Sequence, residues 1–373
     1  MTQPAESLTL EVRRDEWSTA RILHESLDDK LAEGEVLLRV DRQALTANNI
    51  SYAFSGDLLG YWGFFPTEAG WGRIPAMGYA DVQASAHPEV AVGERVWGFF
   101  PMSTHLRVQA GKVNPQSFVD VSPHRAEYAP VYAQYQRAGG NPIYEPARED
   151  QDSLLRGLFL TSWLCEDYIH DNGNFGADAC LVTSASSKTS IALGYALAQR
   201  GELRPVGLTS AGNRAFCEQL GCYDSVVSYD ELEQLDASES VAMVDMAGSA
   251  EITLRLHNHY RDNMKFSSKV GATHYEEAGG SDGLLEGDES LPGPKPEFFF
   301  APSQAQKRAA DWGPLEMEHR MGSSFVAFRQ FCDSWLTVER HYGPESAQAA
   351  YQAVLAGRQP PQNGCIISLW DQS

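Results

Sequence analysis

The chain has 373 residues, and its 29 Lys and Arg against 50 Asp and Glu give a formal net charge of −21 at pH 7. Nucleic-acid binding needs a basic surface that neutralises phosphates, so this charge balance argues against a nucleic-acid partner. Hydrophobic residues at 43% and charged residues at 21% are ordinary for a globular protein. At about 150 residues per domain, the length predicts roughly two domains.

The composition also bears on location. The first residues, MTQPAESLTLEVRRDEW, lack the apolar run of a signal peptide, and no stretch approaches the ~18 apolar residues of a membrane span. We therefore expect a cytoplasmic protein with no membrane partner. The cysteines are scattered without close C-x-x-C pairs, so we expect them to be reduced and mostly buried. They are Cys165, Cys180, Cys217, Cys222, Cys332 and Cys365.

The first hundred residues predict a small, mostly β domain. Short β-like runs at 36–40, 90–92 and 95–100 alternate with Gly, Pro and Asp clusters, and no long helical period intervenes. Residues 111–150 are rich in Pro and Tyr, which suits either packing at a domain junction or the cover of a cleft. The aromatic residues at 60–66 suit either an apolar substrate pocket or a packed loop.

From Asp150 the pattern changes to alternating strands and helices. Repeated strand, turn and helix predict a parallel sheet with helices on its faces and ligands at the carboxyl ends of its strands. The predicted elements are a helix at 153–170, a strand at 179–183, a helix at 189–200, a strand at 205–208, a helix at 212–220, and strands at 225–227 and 240–245. A Gly-rich and acidic segment at 276–297 predicts a solvated loop.

The turn after the strand at 179–183 carries the first candidate cofactor residues. A dinucleotide-binding fold has a glycine-rich turn here, because glycine lets the backbone approach a pyrophosphate. This chain instead has small hydroxyl residues and a lysine, which offer donors and positive charge to an anion at a helix N-terminus. They are Ser184, Ser186, Ser187, Lys188 and Thr189. The alternative is a serine-capped helix with an exposed lysine.

The end of the next strand bears on which dinucleotide is bound. An acid there would bind the ribose hydroxyls of NAD, whereas this chain has Thr209, Ser210, Asn213 and Arg214. Hydroxyls and an arginine suit a 2′-phosphate, so the sequence predicts NADP(H). The alternative is that Arg214 is a solvated residue in the first turn of a helix.

A family resemblance extends over nearly the full length. It rests on EGEVLLRV, TANNI, VGERVWG, LGCYDSV, VDMAG, AYQAVLAGR and GCIISL, in that order along the chain. The chain resembles the medium-chain dehydrogenase/reductase superfamily, in particular its zinc-free quinone-oxidoreductase and enoyl-reductase members. The segments FLTSWL, FGA, SASSKT and VGATHY are closer to one uncharacterised branch, a domain of unknown function.

The resemblance implies an α/β chain with two domains. Residues 1–150 correspond to a GroES-like β domain that binds substrate, with the segment 310–373 packing back on it. Residues 151–309 correspond to a Rossmann domain, a doubly wound parallel sheet that binds NADP(H). In this superfamily the Rossmann domains pair edge to edge, which implies a homodimer.

The resemblance also implies roles for particular residues. Asp245 and Ala247 lie in the segment similar to the D-x-x-G strand end of the cofactor site. Zinc-dependent members have Cys and His ligands near positions 46 and 79, where this chain has Thr46 and Tyr79. We therefore expect no metal.

Without a metal, side chains must stabilise or protonate the charge that develops during reduction. By resemblance, Asn48, Tyr52 and Tyr79 lie in stretches that face the substrate. His274 follows a strand-like run at 269–273, where a group titrating near neutrality is a plausible proton donor. The alternatives are a turn-forming Asn48, core packing for the two tyrosines, and a structural hydrogen bond for His274.

The sequence thus predicts an NADPH-dependent, zinc-independent reductase of an apolar enone, quinone or ketone. Two other functions stay open. One is a lyase or hydrolase that uses the serine and lysine turn with His274 on the same scaffold. The other is a non-catalytic small-molecule-binding protein that has lost the cofactor with its glycines.

Overall fold

The computed structural model describes residues 6–28, 30–128, 132–270 and 291–372. They form two compact units. The first comprises Met1–Leu154 with Leu336–Ser373, and the second comprises Leu155–Trp335.

The core of the first unit is a closed antiparallel barrel. Its strands pair in the order β3, β5, β6, β9, β8, β7, and β7 pairs again with β3 to close the ring. Alternate residues of β3, namely Val36, Leu38 and Val40, point into the barrel interior and are at most 1% exposed. The bounds are β3 (Glu35–Leu45), β5 (Pro75–Ser85), β6 (Arg95–Pro101), β7 (His105–Gly111), β8 (Ser117–Asp120) and β9 (Gln134–Arg137).

A second, three-stranded sheet lies in the same unit. β1 (Glu6–Arg13) pairs antiparallel with β2 (Ala20–Ser26) and with β4 (Trp71–Gly72). Glu11 of β1 is completely buried and accepts hydrogen bonds from the side chains of Arg21, Arg73 and Thr67. Burial by itself would raise the pKa of Glu11, but these hydrogen bonds outweigh that effect, so the pKa lies below its ordinary value.

The last elements of the chain complete the first unit. β16 (Thr337–Tyr342) and β17 (Asn363–Ser368) are parallel, with α8 (Pro344–Leu355) between them in sequence. β17 also pairs antiparallel with the end of β3 and so extends the barrel sheet. A short helix, α1 (Ala47–Phe54), follows β3 directly.

The second unit contains a six-stranded parallel sheet in the order β12, β11, β10, β13, β14, β15. Counted along the chain this order is 3-2-1-4-5-6, that of the Rossmann fold. Its strands are β10 (Ala179–Val182), β11 (Arg204–Thr209), β12 (Ser225–Ser228), β13 (Val241–Asp245), β14 (Met264–Lys269) and β15 (Glu297–Phe298). Every residue of β10 and β13 is buried, as expected for central parallel strands.

Helices connect these strands. α3 begins after Ser187, whose hydroxyl accepts a hydrogen bond from the Ser190 amide, and it ends at Gly201, which takes the left-handed conformation with φ 74°. Both residues are ordinary helix end signals. The helices are α2 (Glu149–Asp171), α3 (Lys188–Arg200), α4 (Arg214–Leu220), α5 (Ala250–Tyr260), α6 (Ala301–Trp312) and α7 (Pro314–Cys332).

The structure confirms the predicted α/β fold, a β-barrel together with a Rossmann sheet, and corrects two local predictions. Residues 90–92 form a turn rather than a strand, with Val92 65% exposed before Gly93 at φ 89°. Lys269 ends a strand, β14, rather than beginning one at 269–273; Val270 lies beyond its end, and residues 271–273 lie outside the described residues. β15 ends at Phe298, and Pro302 stands in the first turn of α6, where a proline is tolerated.

Two further observations bear on sequence predictions. The aromatic residues Trp62, Phe64 and Phe65 are at most 4% exposed, so that loop is a packed one. None of the helices in the described ranges combines the length and the apolar character that crossing a membrane requires.

Candidate functional site

The carboxyl ends of β10, β11 and β12 lie along one edge of the Rossmann sheet, because the three strands are parallel neighbours. Ser184, Ser210 and Tyr229 follow these ends closely. In open parallel sheets, ligands bind at this edge, near the position where the strand order reverses. Here that position is beside β10.

Two tyrosines hold the serine turn after β10. Ser184 has φ 49°, in the left-handed region that favours glycine, and its amide donates to the Tyr229 hydroxyl at 2.8 Å. The Tyr223 hydroxyl donates to the Ala185 carbonyl at 2.8 Å. The amide of Ala185 itself donates to the Leu208 carbonyl of β11 at 2.9 Å. The turn therefore keeps a tight conformation without the usual glycines.

The remaining residues of the turn start α3. Asn213 donates from Nδ2 to Ser186 Oγ at 3.1 Å, which connects the turn to the region after β11. Ser187 caps the helix, and the Thr189 carbonyl accepts from the Ser162 hydroxyl at 2.7 Å. These contacts place Ser186, Ser187 and Thr189 at the start of α3, as the sequence predicted.

Lys188 is the first residue of α3 and is half-buried. Its charge acts on the thiol of Cys332 at the end of α7. Burial raises the pKa of that thiol, and Lys188 opposes the rise. The lysine is therefore close to α7 as well as to the serine turn.

Arg214 lies between two carboxylates. It donates from Nη1 to Glu231 Oε2 at 2.6 Å and from Nε to Glu218 Oε1 at 2.9 Å. The Glu218 hydrogen bond and the Glu231 charge raise the pKa of the guanidinium. Arg214 is the first residue of α4 with its side chain 42% exposed, and it is already engaged with acids where the sequence predicted a 2′-phosphate.

The two residues at the end of β11, Thr209 and Ser210, differ in exposure. Thr209 is 1% exposed, and its side chain hydrogen-bonds to the Cys217 thiol, whose pKa burial raises to about 12. Ser210 is exposed, and its carbonyl accepts from the Asn213 amide at 3.0 Å. Ser210 is therefore accessible to a ligand at the end of β11, whereas Thr209 is part of the core.

Asp245 connects the ends of β10 and β13. It is 2% exposed, and its Oδ1 accepts from the Thr183 hydroxyl at 2.6 Å and from the amides of Ala247 and Gly248 at 3.0 and 3.2 Å. Burial raises the pKa of Asp245, although these hydrogen bonds and Lys269 oppose the rise. In this structure Asp245 and Ala247 brace the sheet edge, and their predicted cofactor contact stays a prediction.

Two of the predicted catalytic residues come together in the first unit. Asn48 and Tyr52 are one turn apart on α1, and the Asn48 side chain hydrogen-bonds to the Tyr52 hydroxyl. Burial, with a smaller contribution from Tyr132, raises the pKa of Tyr52 despite Asn48. Tyr52 therefore keeps its proton at neutral pH and can donate a hydrogen bond. The neighbouring Asn49 instead caps α1 and bonds to the Pro75 carbonyl at 2.8 Å.

Tyr79 has a different environment. It is completely buried on β5, and its hydroxyl donates to Asp152 Oδ2 at 3.2 Å. The guanidinium of Arg95 lies 5.3 Å from the centre of its ring. These contacts fit core packing, the alternative that the sequence left open.

Of the three histidines His257, His259 and His274, two lie in the described residues and one does not. His274 lies outside the described residues, so its predicted role stays a prediction. His257 and His259, two residues apart on α5, do not share a partner: His257 Nε2 is 3.0 Å from Ser267 Oγ, and His259 Nε2 is 2.8 Å from the Leu235 carbonyl. Within the described ranges, no three His, Cys, Asp or Glu side chains gather as metal ligands do.

Sequence reasoning missed three residues at this sheet edge, namely Tyr223, Tyr229 and Glu231. Tyr223 and Tyr229 flank β12, and the only sequence signal for them is an aromatic residue on each side of a short apolar strand. Glu231 follows the third strand of the sheet, whereas the sequence interpretation considered an acidic residue only at the end of the second strand. Their contacts with the serine turn and Arg214 become visible only in three dimensions.

The residues at this edge fit a phosphate-bearing dinucleotide in their donor chemistry. Hydroxyls, the start of the 13-residue helix α3, a lysine and an arginine are the groups that bind phosphate oxygens. The absent glycines do not block the turn, because Ser184 adopts the left-handed conformation that glycine would take. The predicted contacts of Ser186, Ser187 and Lys188 with a pyrophosphate and of Arg214 with a 2′-phosphate stay predictions.

Comparisons with known proteins match this chain to one protein family and to solved structures of the same fold. A family model described as a protein of unknown function (DUF2855) matches residues 43–360. This match confirms the expected branch. No curated protein sequence matches the chain.

Solved structures share the architecture over the full length. CurA from Vibrio vulnificus in complex with NADPH is 14% identical with a TM-score of 0.59, over 99% of this chain and 100% of that chain. The yhdH oxidoreductase from Salmonella enterica in complex with NADP is 14% identical with a TM-score of 0.54, over 98% and 99%. A quinone oxidoreductase from Coxiella burnetii is 12% identical with a TM-score of 0.54, over 97% and 99%. At these identities the likeness establishes the fold.

Proposed function

The chain belongs to this family of unknown function (DUF2855), and we propose that it is an NADPH-dependent oxidoreductase that reduces an apolar enone, quinone or ketone. The observation that carries the proposal is the cluster of Ser186, Lys188 and Arg214 at the carboxyl edge of a 3-2-1-4-5-6 sheet. Two structures of the same fold were determined with NADPH or NADP. We place the cofactor on the predicted Rossmann domain, residues 151–309.

The proposed binding groups have distinct tasks. Ser186 offers a hydroxyl donor at the start of α3, where the helix dipole favours an anion, whereas the Ser187 hydroxyl donates to Ser190 Oγ at 2.8 Å and would have to turn to contact a phosphate. Lys188 adds a positive charge at the same place. Arg214 would exchange its carboxylate partners for the 2′-phosphate, which is feasible because exposed ion pairs are weak.

Calorimetric titration with NADPH and, separately, NADH tests this assignment. We expect NADPH to bind the wild-type chain and to bind more weakly to Lys188→Ala and Arg214→Ala. Arg204→Ala is the matched control, because Arg204 also contacts two carboxylates, those of Asp224 and Glu239, but lies at the amino end of β11. Equal losses in Arg204→Ala and Arg214→Ala, or no nucleotide binding by the wild type, would refute the assignment.

The reduction itself needs a hydrogen-bond donor to the substrate oxygen. NADPH, when bound, supplies the hydride. We assign the donor to Tyr52, which is protonated at neutral pH and oriented by Asn48. A positioned donor of this kind stabilises the negative charge that develops on oxygen during hydride transfer.

Steady-state oxidation of NADPH with a panel of quinones, enones and ketones tests the chemistry. We expect Tyr52→Phe to lower kcat about 100- to 1000-fold, the range seen when one such donor is removed, with NADPH affinity unchanged. Tyr61→Phe is the matched control, since Tyr61 lies in the same aromatic cluster with ring centres 4.6 Å apart. A kcat equally reduced in both variants would mean that Tyr52 acts only through packing.

Three further properties belong to the same proposal. We expect activity to survive chelation and the purified protein to contain no stoichiometric zinc, measured by metal analysis. We expect a homodimer, measured by light scattering, and a cytoplasmic location, measured by cell fractionation. Zinc bound at one equivalent per chain and needed for activity would contradict the first expectation.

A further inference from the structure

Glu231 lies against Arg214, the residue proposed to bind the 2′-phosphate of the cofactor. Its Oε2 accepts from Arg214 Nη1 at 2.6 Å and from the Ser228 hydroxyl at 3.1 Å. The proposed function uses the arginine and leaves the acid without a role.

Three neighbouring residues hold the segment that contains Glu231 in place. Ser228 ends β12, and Leu232, directly after Glu231, is 1% exposed in the core of the Rossmann unit. Tyr229 accepts the amide hydrogen bond of Ser184 from the serine turn. The carboxylate is therefore held beside Arg214 by the fold.

The second acid, Glu218, is held less firmly. It lies four residues after Arg214 on the same short helix, and its side chain is 50% exposed. Such a surface pair on a helix is weak and easily exchanged. With both acids, the local charge is one positive against two negative, which disfavours the entry of a phosphate dianion.

We propose that Glu231 sets the nucleotide preference of this site by competing with the 2′-phosphate of NADPH for the Arg214 guanidinium. The inference rests on the proposed function and extends it. NADH carries no 2′-phosphate and does not have to displace Glu231. The acid therefore lowers the affinity for NADPH, leaves that for NADH unchanged, and makes the preference for NADPH smaller than Arg214 alone would give.

Calorimetric titration of Glu231→Gln with NADPH and NADH tests this. Gln keeps the shape and an acceptor for Ser228 but removes the charge. We expect the Kd for NADPH to fall about three- to tenfold and that for NADH to change less than about twofold, at low ionic strength. Glu218→Gln, which contacts the same guanidinium, is the matched control, and we expect a smaller gain.

The double variant separates competition from simple repulsion. In the Arg214→Ala background, Glu231→Gln should change the NADPH affinity less than about twofold, since no guanidinium is left to compete for. The same gain in this background, an unchanged NADPH to NADH ratio in Glu231→Gln, or an equal gain in Glu218→Gln would overturn the inference. If Glu231→Gln melts at a lower temperature, Ser228→Ala supplies a second variant, expected to shift the ratio in the same direction.

Failure of the proposed function gives a different result. A wild-type chain that binds neither nucleotide would refute both proposals at once. A wild-type chain that binds NADPH, with a ratio that does not respond to Glu231, would refute only the role of the acid.

Discussion

Replacing Thr183 by Val should loosen the edge of the Rossmann sheet. The Thr183 hydroxyl donates to Asp245 Oδ1 at 2.6 Å and accepts from the amides of Met246 and Ala247 at 2.9 and 3.0 Å. Val has nearly the same shape, so the substitution removes these hydrogen bonds without creating a cavity. It also leaves a buried carboxylate with one donor fewer.

The cost follows from the number and kind of these bonds. A hydrogen bond to a charged group contributes about 1.5–3 kcal/mol, and a neutral one about 1 kcal/mol. Ala247 keeps its second bond, to Asp245, so we count one charged and one neutral bond for a total of about 2.5–4 kcal/mol. Thr183→Ser keeps the hydroxyl and loses one methyl group, which costs about 1 kcal/mol.

Hydrogen exchange measured on peptides that cover 179–183 and 241–245 reports this locally. Since about 1.4 kcal/mol is a factor of ten, we expect amides of β10 and β13 to exchange roughly 60- to 700-fold faster in Thr183→Val. The Ser variant should accelerate exchange about fivefold. If the Val variant exchanges no faster than the Ser variant, the bond between Thr183 and Asp245 does not stabilise this edge.

Three other predictions concern stability. Glu11→Gln should lower the free energy of unfolding at pH 7 by about 1–3 kcal/mol. Because the folded pKa of Glu11 is lowered, this deficit, measured by urea unfolding, should shrink as the pH falls through that pKa. A deficit that stays constant with pH would contradict the prediction. Burial and Arg39 lower the pKa of His105 from 6.5 to about 4, so the wild type should lose stability as the pH falls from 6.5 to 4. His105→Gln should flatten that slope by up to about 1.4 kcal/mol per pH unit, and an unchanged urea-unfolding slope would refute the assignment. Gly194→Ala should lower the free energy of unfolding, measured by thermal unfolding, by about 1–3 kcal/mol, because the added Cβ would lie 2.5 Å from the ring of Tyr223. Gly212→Ala, with open space around the added Cβ, should be nearly neutral. Equal effects of the two substitutions would contradict the packing argument.

The local pattern of the sequence carried most of the second unit. The strand at 179–183, the helix at 189–200 and the strand at 205–208 were each predicted to within one residue at both ends, because buried parallel strands are continuous apolar runs and because Ser187 and Gly201 mark the ends of α3. The start of the last predicted helix, at 212, instead falls in a 3₁₀ turn before α4. The reason is that helix ends depend on hydrogen bonds that a pattern of apolar residues does not encode.

The candidate site was predictable only in part. Serines, a lysine and an arginine after two strands indicate an anion site, since these residue types donate hydrogen bonds and carry positive charge. The sequence did not show that Arg214 is bound to Glu231, which lies 17 residues further on after a different strand. The resemblance assigned Asn48 to the site, but only the structure shows that Asn48 contacts Tyr52 and that Asn49 caps the helix.

The sequence by itself therefore determined the order and type of the elements and the residues eligible for the site. Periodicity, end signals and residue chemistry are local properties, and they are encoded within a few positions. The tertiary structure alone decided the partners: Tyr229 with Ser184, Glu231 with Arg214, and Thr183 with Asp245. Each of these contacts joins residues at the ends of different strands, so it exists only after the parallel sheet has brought those ends to one edge.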